Sequence, residues 1–567
     1  MSEIVQKLAN ASQQLTSEGA PWAITEKTLN GISYPVFSQT PDTMKALLDA
    51  GRVHGDKSFL VYENEHYSFN DFYRISDAIA HQLVERFNVK QSDRIAIAMR
   101  NYPEWMMAYC AIVSLGAIAV PLNSWGKADD LIYGLSDSGA SVVFCDQQRY
   151  QSIAGFAEEA QLQCVLTRQD DSFDLSPAHL SSWQDLVAAG EGQDVAWFDC
   201  DSEDAVMIMY TSGTTGNPKG ALSCHRAIIQ AIFCFEFQGT ASAMANEATI
   251  VKMMESGFEA ASLLAVPLFH VSGLHACFML SLRGGRKIVM MYKWNPGQAL
   301  SLIEEHRITI FSGAPSMVID MLEHPDFEQR DTRSLLSIGA GGAATPERMR
   351  KQVYAKVEDA YMGAGYGLTE TNAICASCTG GAYRYKPTSA GTVAPIVQVQ
   401  TRDEDGKVLA QGERGELWVK SPTNVNGYWN RADATAESFV DGWFASGDIG
   451  YVDEEGFVFV VDRLKDVIIR GGENISSGEV ESCILNHSAV HEVAAFGYPH
   501  DTLGEEVAVV IHPQEAEQTD KEAIQSWVKQ HLAGFKVPSH VFISKEPLPR
   551  NPSGKVLKQQ LKATYID

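Results

Sequence analysis

The sequence predicts an α/β protein: two parallel-sheet halves of similar build, then a β-rich unit, then a small separate α+β domain. Three observations point there: strand–helix alternation over 71–146, its return over 287–357, and short alternating runs with turn signals over 391–452. Parallel strands need helical crossovers that cover the sheet, so interleaved helix and strand periods mark this class. A chain of 567 residues is long enough for several such units.

In the first half, Phe72, Ile75, Ile79, Leu83 and Phe87 recur at helical spacing. The apolar run 94–99 reads as a buried strand, a helix begins at Pro103, and 117–120 is the next strand. A helix over 129–135 and a strand over 141–145 complete the half. Ahead of the second half, 205–210 reads as a buried strand that opens into a loop. The second half runs strand 287–291, helix 297–307, strand 309–311, a helix to 323, strand 335–338 and helix 346–357. The segment 240–262 is the least regular and reads as a mobile surface excursion. Beyond 391, the run 416–419 alternates, and Asp405-Gly406 and Glu455-Gly456 are turn signals. From 465 onward, strands and helices mix under their own punctuation, which divides the chain into 1–464 and 465–567.

Composition narrows the function classes. With 45% hydrophobic and 20% charged residues the chain is ordinary globular material, and a net charge of −26 disfavours nucleic acid and anionic membrane as partners. The N-terminus lacks the basic start and apolar core of a secretory signal. The longest apolar stretch, 108–122, contains Ser114, Gly116 and Pro121 and falls short of the roughly 20 residues a membrane span needs. The C-terminal Tyr565-Ile-Asp567 carries no peroxisomal or prenylation signal. The expectation is a cytoplasmic protein without an integral membrane segment, and a homodimer stays open. Ten scattered cysteines argue for thiols, and the isolated pair Cys375 and Cys378 reads as buried apolar packing before it reads as a zinc site.

The most informative segment is Tyr210-Thr-Ser-Gly-Thr-Thr-Gly-Asn-Pro-Lys-Gly220. It follows a buried strand, and its glycines let consecutive N–H groups form an anion-binding concavity suited to a triphosphate. Pro218 precedes Lys219 and Gly220 follows it, so the loop lacks the Ser or Thr that a Walker loop places after its lysine. Alone, it reads equally well as a surface turn.

Other motifs follow in order: Tyr366-Gly-Leu-Thr-Glu370, Ser446-Gly-Asp448 in an expected turn, Asp462-Arg-Leu-Lys-Asp466, Arg470-Gly-Gly-Glu-Asn474 and Asn551-Pro-Ser-Gly-Lys555. The ordered set resembles the adenylate-forming superfamily, in its acyl-CoA synthetase branch, over 60–561. That resemblance implies a large N-terminal region of two αβ subdomains plus a β-rich one, closed by a mobile C-terminal lid. It also implies activation of a carboxylic acid by ATP and Mg²⁺ to an acyl-adenylate, followed by transfer to coenzyme A.

By resemblance, Thr211, Ser212, Gly213, Thr214, Thr215, Gly216 and Lys219 meet the β- and γ-phosphates. Tyr366 lies on the adenine, Thr369 touches the α-phosphate, and Glu370 helps hold Mg²⁺. Asp448 and Arg463 reach the ribose; outside this family they read as a turn aspartate and a solvated arginine. Lys555 bridges substrate carboxylate and α-phosphate as negative charge develops. Lys465 is the hinge about which the lid swings, and Gly471 and Gly472 permit close passage of a pantetheine arm ahead of the capping-box spacing Ser476-Ser-Gly-Glu479. His270, in Pro267-Leu-Phe-His-Val-Ser-Gly273, matches a position beside the acid; otherwise it is a core histidine. Gly339 opens the small-residue run 339–344 expected to line the acyl and adenine pockets. The expected substrate is a fatty or other hydrophobic acid. The rivals are transfer of the acyl group to a carrier protein, and a catalytically silent nucleotide or acyl-ligand binder. Asn551-Pro-Ser553 departs from the family's more Thr-rich spacing.

Overall fold

Strand Arg94–Ala98 is the pivot of the first sheet, which has eight strands. It pairs in parallel with Ile118–Pro121 on one side and Val142–Asp146 on the other, so the chain reverses its winding direction here. Gln163–Thr167 and Leu180–Ser182 extend one flank; Ala205–Thr211, Lys219–Cys224 and Gly427–Tyr428 extend the other. The computed structural model describes residues 2–211, 217–341, 345–357, 359–514, 519–551 and 554–566.

Helix Pro103–Ser114 starts with proline in its first turn, and every one of its residues is buried. A helix that is apolar all round must be enclosed, and this one lies in a core that takes side chains from both large sheets. Burying Trp105, Met106, Ile112 and Val113 fully is worth about 1.5–3 kcal/mol for each aliphatic side chain, which ties the two halves together.

The second sheet runs parallel through Ser58–Tyr62, Lys287–Met290, Ala261–Leu264, Ile310–Gly313, Ser337–Ala340 and Tyr361–Tyr366. From Tyr361–Tyr366 onward the pairing turns antiparallel and continues without a break through Ala376–Thr379, Gly391–Val393, Phe457–Arg463, Trp443–Val452, Gly415–Lys420 and Gln398–Arg402. The β-rich unit is therefore the antiparallel end of the second sheet. Its turn glycines Gly406 and Gly456 have φ of 79° and 81°, the left-handed conformation that hairpin signals demand.

Two expectations need correction. The segment 240–262 is regular: helix His225–Ala245 runs into helix Glu247–Glu255, and strand Ala261–Leu264 follows. None of the residues of Glu247–Glu255 is buried, so the apolar period that marks helices in sequence is weak there. Ser446-Gly-Asp448 lies inside strand Trp443–Val452 rather than in a turn. Gly447 has φ 68° and the ladder slips after Ile449, a local bulge that reads as a turn in sequence.

The C-terminal part forms its own five-stranded sheet around Val490–His500 and Gly504–Pro513, with a core that includes Ile468, Val480, Ile484, Val493, Val509 and Ile524. Helix Ser477–Leu485 is capped by Ser476, whose hydroxyl accepts from Glu479 N at 3.1 Å. Seven of the cysteines are buried, Cys375 and Cys378 among them. Among the described residues, no helix is long and apolar enough to cross a membrane.

Candidate active site

The two ends of the glycine–threonine loop face each other, because Thr211 and Lys219 are register partners in an antiparallel pair. Ser212, Gly213, Thr214, Thr215 and Gly216 lie outside the described residues. Thr211 Oγ1 donates to the Lys219 carbonyl at 3.3 Å. The Lys219 ammonium sits 4.9 Å from the ring centre of Tyr428, whose hydroxyl donates to Glu370 Oε1 at 2.9 Å. Lys219 and Glu370 thus share one tyrosine. Burial raises the Glu370 carboxyl above the usual carboxylate range, while its own backbone N–H, the Tyr428 phenol, Arg463 and Lys219 act in the opposite sense. A single carboxylate here suits Mg²⁺, which commonly takes one or two carboxylates and fills its other positions with phosphate and water oxygens.

A second cluster forms where Trp443–Val452 pairs with Phe457–Arg463. Asp448 and Arg463 are register partners, and Arg463 Nε donates to Asp448 Oδ1 at 2.6 Å. The Tyr366 hydroxyl donates to Asp448 Oδ2 at 2.8 Å. Asp448 is almost wholly buried, at 2% exposure, and burial raises its pKa against these two donors. Each oxygen keeps a further lone pair, so the carboxylate can still accept from a diol. Gly447 N donates to Glu416 Oε1 at 2.9 Å and holds the bulge in place.

Lys555 arrives from near the other end of the chain. Gly554, the residue before it, packs on the N-terminal region: a Cβ placed there would lie 2.8 Å from Ala314 Cβ. More than a third of the Lys555 surface is exposed. Even so, the protein around its ammonium, together with the charges of Arg463 and Lys465, pushes its pKa down to about 8 against the pull of Asp466 and Asp448. The same group of charges acts on Lys465, which lies in the turn Leu464–Asp466 and whose pKa is lowered chiefly by burial. The lobes are joined nearby by Arg348, which donates to the Val490 carbonyl at 3.0 Å, and by Ser477 N, which donates to Asp462 Oδ2 at 2.5 Å.

His270 is half-buried at the start of the short helix Val271–Gly273, and burial alone lowers its pKa to about 4, so it is neutral at neutral pH. Thr369 opens the turn Thr369–Thr371, which places it one residue from Glu370. The missing side chain of Gly339 makes room for Ser312 on the neighbouring strand; 342–344 lie outside the described residues. Gly471 and Gly472 form the tight turn between Ile468–Arg470 and Glu473–Ile475, with φ of 59° and 88°. No described contact joins that turn to the Lys555 cluster. Sequence reasoning missed Tyr428 and Glu416, because an isolated tyrosine and a strand glutamate carry no motif. It also missed the pair Lys558 and Glu481, 2.7 Å apart, which ties the terminal helix Lys558–Tyr565 to Ser477–Leu485.

Residues 47–429 match the family model described as AMP-binding enzyme, and 479–555 match the AMP-binding enzyme C-terminal domain. The long-chain-fatty-acid–CoA ligase FadD13 of Mycobacterium tuberculosis is 32% identical over 488 residues, 84% of this chain and 89% of that protein. A feruloyl-CoA synthase of an Amycolatopsis species is 31% identical over 477 residues, 84% of this chain and 90% of that protein. The crystal structure of ATP-bound MatB from Rhodopseudomonas palustris superimposes with a TM-score of 0.76 at 27% identity, covering 92% of this chain and 99% of that one.

Proposed function

This chain belongs to the AMP-binding enzyme family and is an AMP-forming acid–CoA ligase, and we propose that its acid is a fatty or other hydrophobic carboxylic acid. The observation behind the chemistry is the seat of Lys555 beside Asp448 and Arg463, which brings a lysine from the far end of the chain to a nucleotide-binding carboxylate.

In the first half-reaction a carboxylate oxygen attacks the α-phosphorus of ATP, the bond to the bridging oxygen breaks, and pyrophosphate leaves. Negative charge grows on α-phosphate oxygens, and the Lys555 ammonium and Thr369 hydroxyl donate to them. Asp448 and Arg463 hold the ribose, Tyr366 lies on the adenine, and Thr211, Lys219 and the loop 212–216 hold the β- and γ-phosphates. Glu370 would hold Mg²⁺, which when bound supplies charge neutralisation at phosphate oxygens. In the second half-reaction the CoA thiol attacks the acyl carbon and AMP leaves. Rotation of 465–567 about Lys465 withdraws Lys555 and admits the thiol.

His270 supports the hydrophobic acid. Its ring stands 4.9 Å from that of Phe269, and burial lowers its pKa, so its surroundings are apolar. Leu274, Phe278 and Met279 follow it, all buried. The test is CoA-dependent AMP release over a series of straight-chain and aryl acids. In an apolar pocket kcat/KM rises about fourfold for each added methylene until the pocket is full. A flat series, or a preference for short polar acids, would rule the reading out.

A further inference from the structure

The second sheet is covered unevenly beneath helix His225–Ala245. Ser262, Ile310, Ser337 and Tyr361 are register partners on adjacent parallel strands, so their side chains share one face. The Tyr361 hydroxyl meets Ser242 Oγ at 2.6 Å, which turns that face toward the helix. Inner strands of a parallel sheet are ordinarily closed on both faces. Here Phe311, Ile338 and Met362 on the opposite face are buried, whereas Ile310, Ser337 and Gly339 stay half-open and Ser312 is exposed.

The helix shows the same space from its own side. Glu236 accepts from Arg283 Nε at 2.6 Å, Ser242 reaches the sheet, and Gly239 lies between these two on the helix surface. Gly239 is exposed, and a Cβ placed on it would meet nothing within 4 Å. A channel therefore runs between helix and sheet, from Ser312 and Gly339 toward the N-terminal ends of the strands.

Arg286 stands at that lower end. It lies two residues before Ile288, the register partner of Ser262, and so points to the same face. Its Nη1 donates to Ser262 Oγ at 3.4 Å and its Nε is buried without a hydrogen-bond partner. Among the described residues it makes no salt bridge. Burial lowers its pKa, and the Cys277 thiol acts in the opposite sense. Arg286, Cys277 and His270 are all shifted by burial and yet keep accessible surface, as side chains do when they face an internal space rather than bulk water. Cys277 belongs to the turn Leu274–Met279, which follows His270, so one short segment runs from the acid side of the cleft to this cation.

Four residue rises separate the level of Ser312 from that of Arg286, about 13 Å along the strands. A guanidinium has donors and no acceptor, so the partner that satisfies it carries oxygen, best of all an anionic oxygen. We infer that Arg286 receives the far end of the acid, and that the substrate is a hydrophobic acid bearing an oxygen acceptor there, a second carboxylate by preference. This deepens the ligase reading above and rests on it.

The test is CoA-dependent AMP release by the full-length enzyme with a plain fatty acid, its ω-hydroxy acid and its α,ω-dicarboxylic acid, compared at each chain length. At lengths that reach the cation, the dicarboxylic acid should exceed the plain acid about tenfold in kcat/KM, since one charged hydrogen bond is gained. The gain should appear mostly in KM, because the contact is remote from the reacting atoms, and the ω-hydroxy acid should fall between the two. Arg286→Met should reverse the order and Arg286→Lys should keep part of it. The ratio of two acids on one chain is independent of how much of that chain is folded. Equal kcat/KM for the three acids at every length, or a preference that survives Arg286→Met, overturns the inference. Calorimetric titration of the parent chain with the dicarboxylic and plain acids should show the same order without turnover; equal affinities would also overturn it. Absence of AMP release with every acid would remove the ligase reading instead, and the titration would still decide Arg286.

Discussion

Replacing Lys555 with alanine should separate the two half-reactions. A preorganised donor aimed at developing phosphate charge is worth about 2.7–4 kcal/mol, or roughly 10²–10³ in rate. With a pKa of about 8, roughly nine-tenths of the Lys555 ammonium is charged at pH 7, so nearly the whole effect is available there. Arg463 and Lys465 remain beside the vacated position and retain part of the field, which places the loss near the lower end, about 100-fold. Pyrophosphate release with acid and ATP reads the first half-reaction. AMP release from a supplied acyl-adenylate with CoA reads the second, where the proposed assignment expects no loss. Equal losses in both assays, or an unimpaired first step, would refute the assignment and the reasoning from charge convergence behind it.

Adenylation should weaken as pH rises through about 8, because the lowered pKa removes the Lys555 proton there, and Lys555→Arg should carry that limb to higher pH; a limb at the same pH in both chains would place its origin elsewhere. Lys465→Pro fixes φ at the expected hinge and should block thioester formation, whereas Lys465→Ala should leave it intact; both should move the adenylation limb upward, because both delete a charge that depresses Lys555, and thioester formation at the parent rate in Lys465→Pro would discard the hinge. Tyr428→Phe removes a hydrogen bond that lowers the raised pKa of Glu370, so the Mg²⁺ concentration for half-maximal rate should rise about tenfold and the acid limb should move to higher pH; an unchanged Mg²⁺ titration would detach Glu370 from the metal.

Much of the fold was legible because its cause is local. Runs such as 94–99 and 141–145 are short and largely apolar on both faces, the pattern of a strand buried from two sides, and their length separates them from a buried helix such as Pro103–Ser114. Hairpin glycines announce themselves through the positive φ that other residues avoid. The bulge at Gly447 and the helix Glu247–Glu255 were misread for the converse reason: a bulge has a turn's composition, and a surface helix with no buried residue lacks an apolar stripe.

The sequence by itself determined which residue types are present and their order along the chain, since glycine freedom, hydroxyl donors and the fixed charge of lysine are properties of single residues and short segments. Only the tertiary structure decided which of them meet. Asp448 and Arg463 become partners through strand register, Lys219 and Glu370 through Tyr428, and Lys555 joins Asp448 because a separate lobe closes over the cleft. Burial, which shifts the pKa values of Glu370 and His270, is likewise a property of packing between distant segments. Electrostatic strength depends on distance and on excluded water, and neither quantity exists along a chain until it has folded.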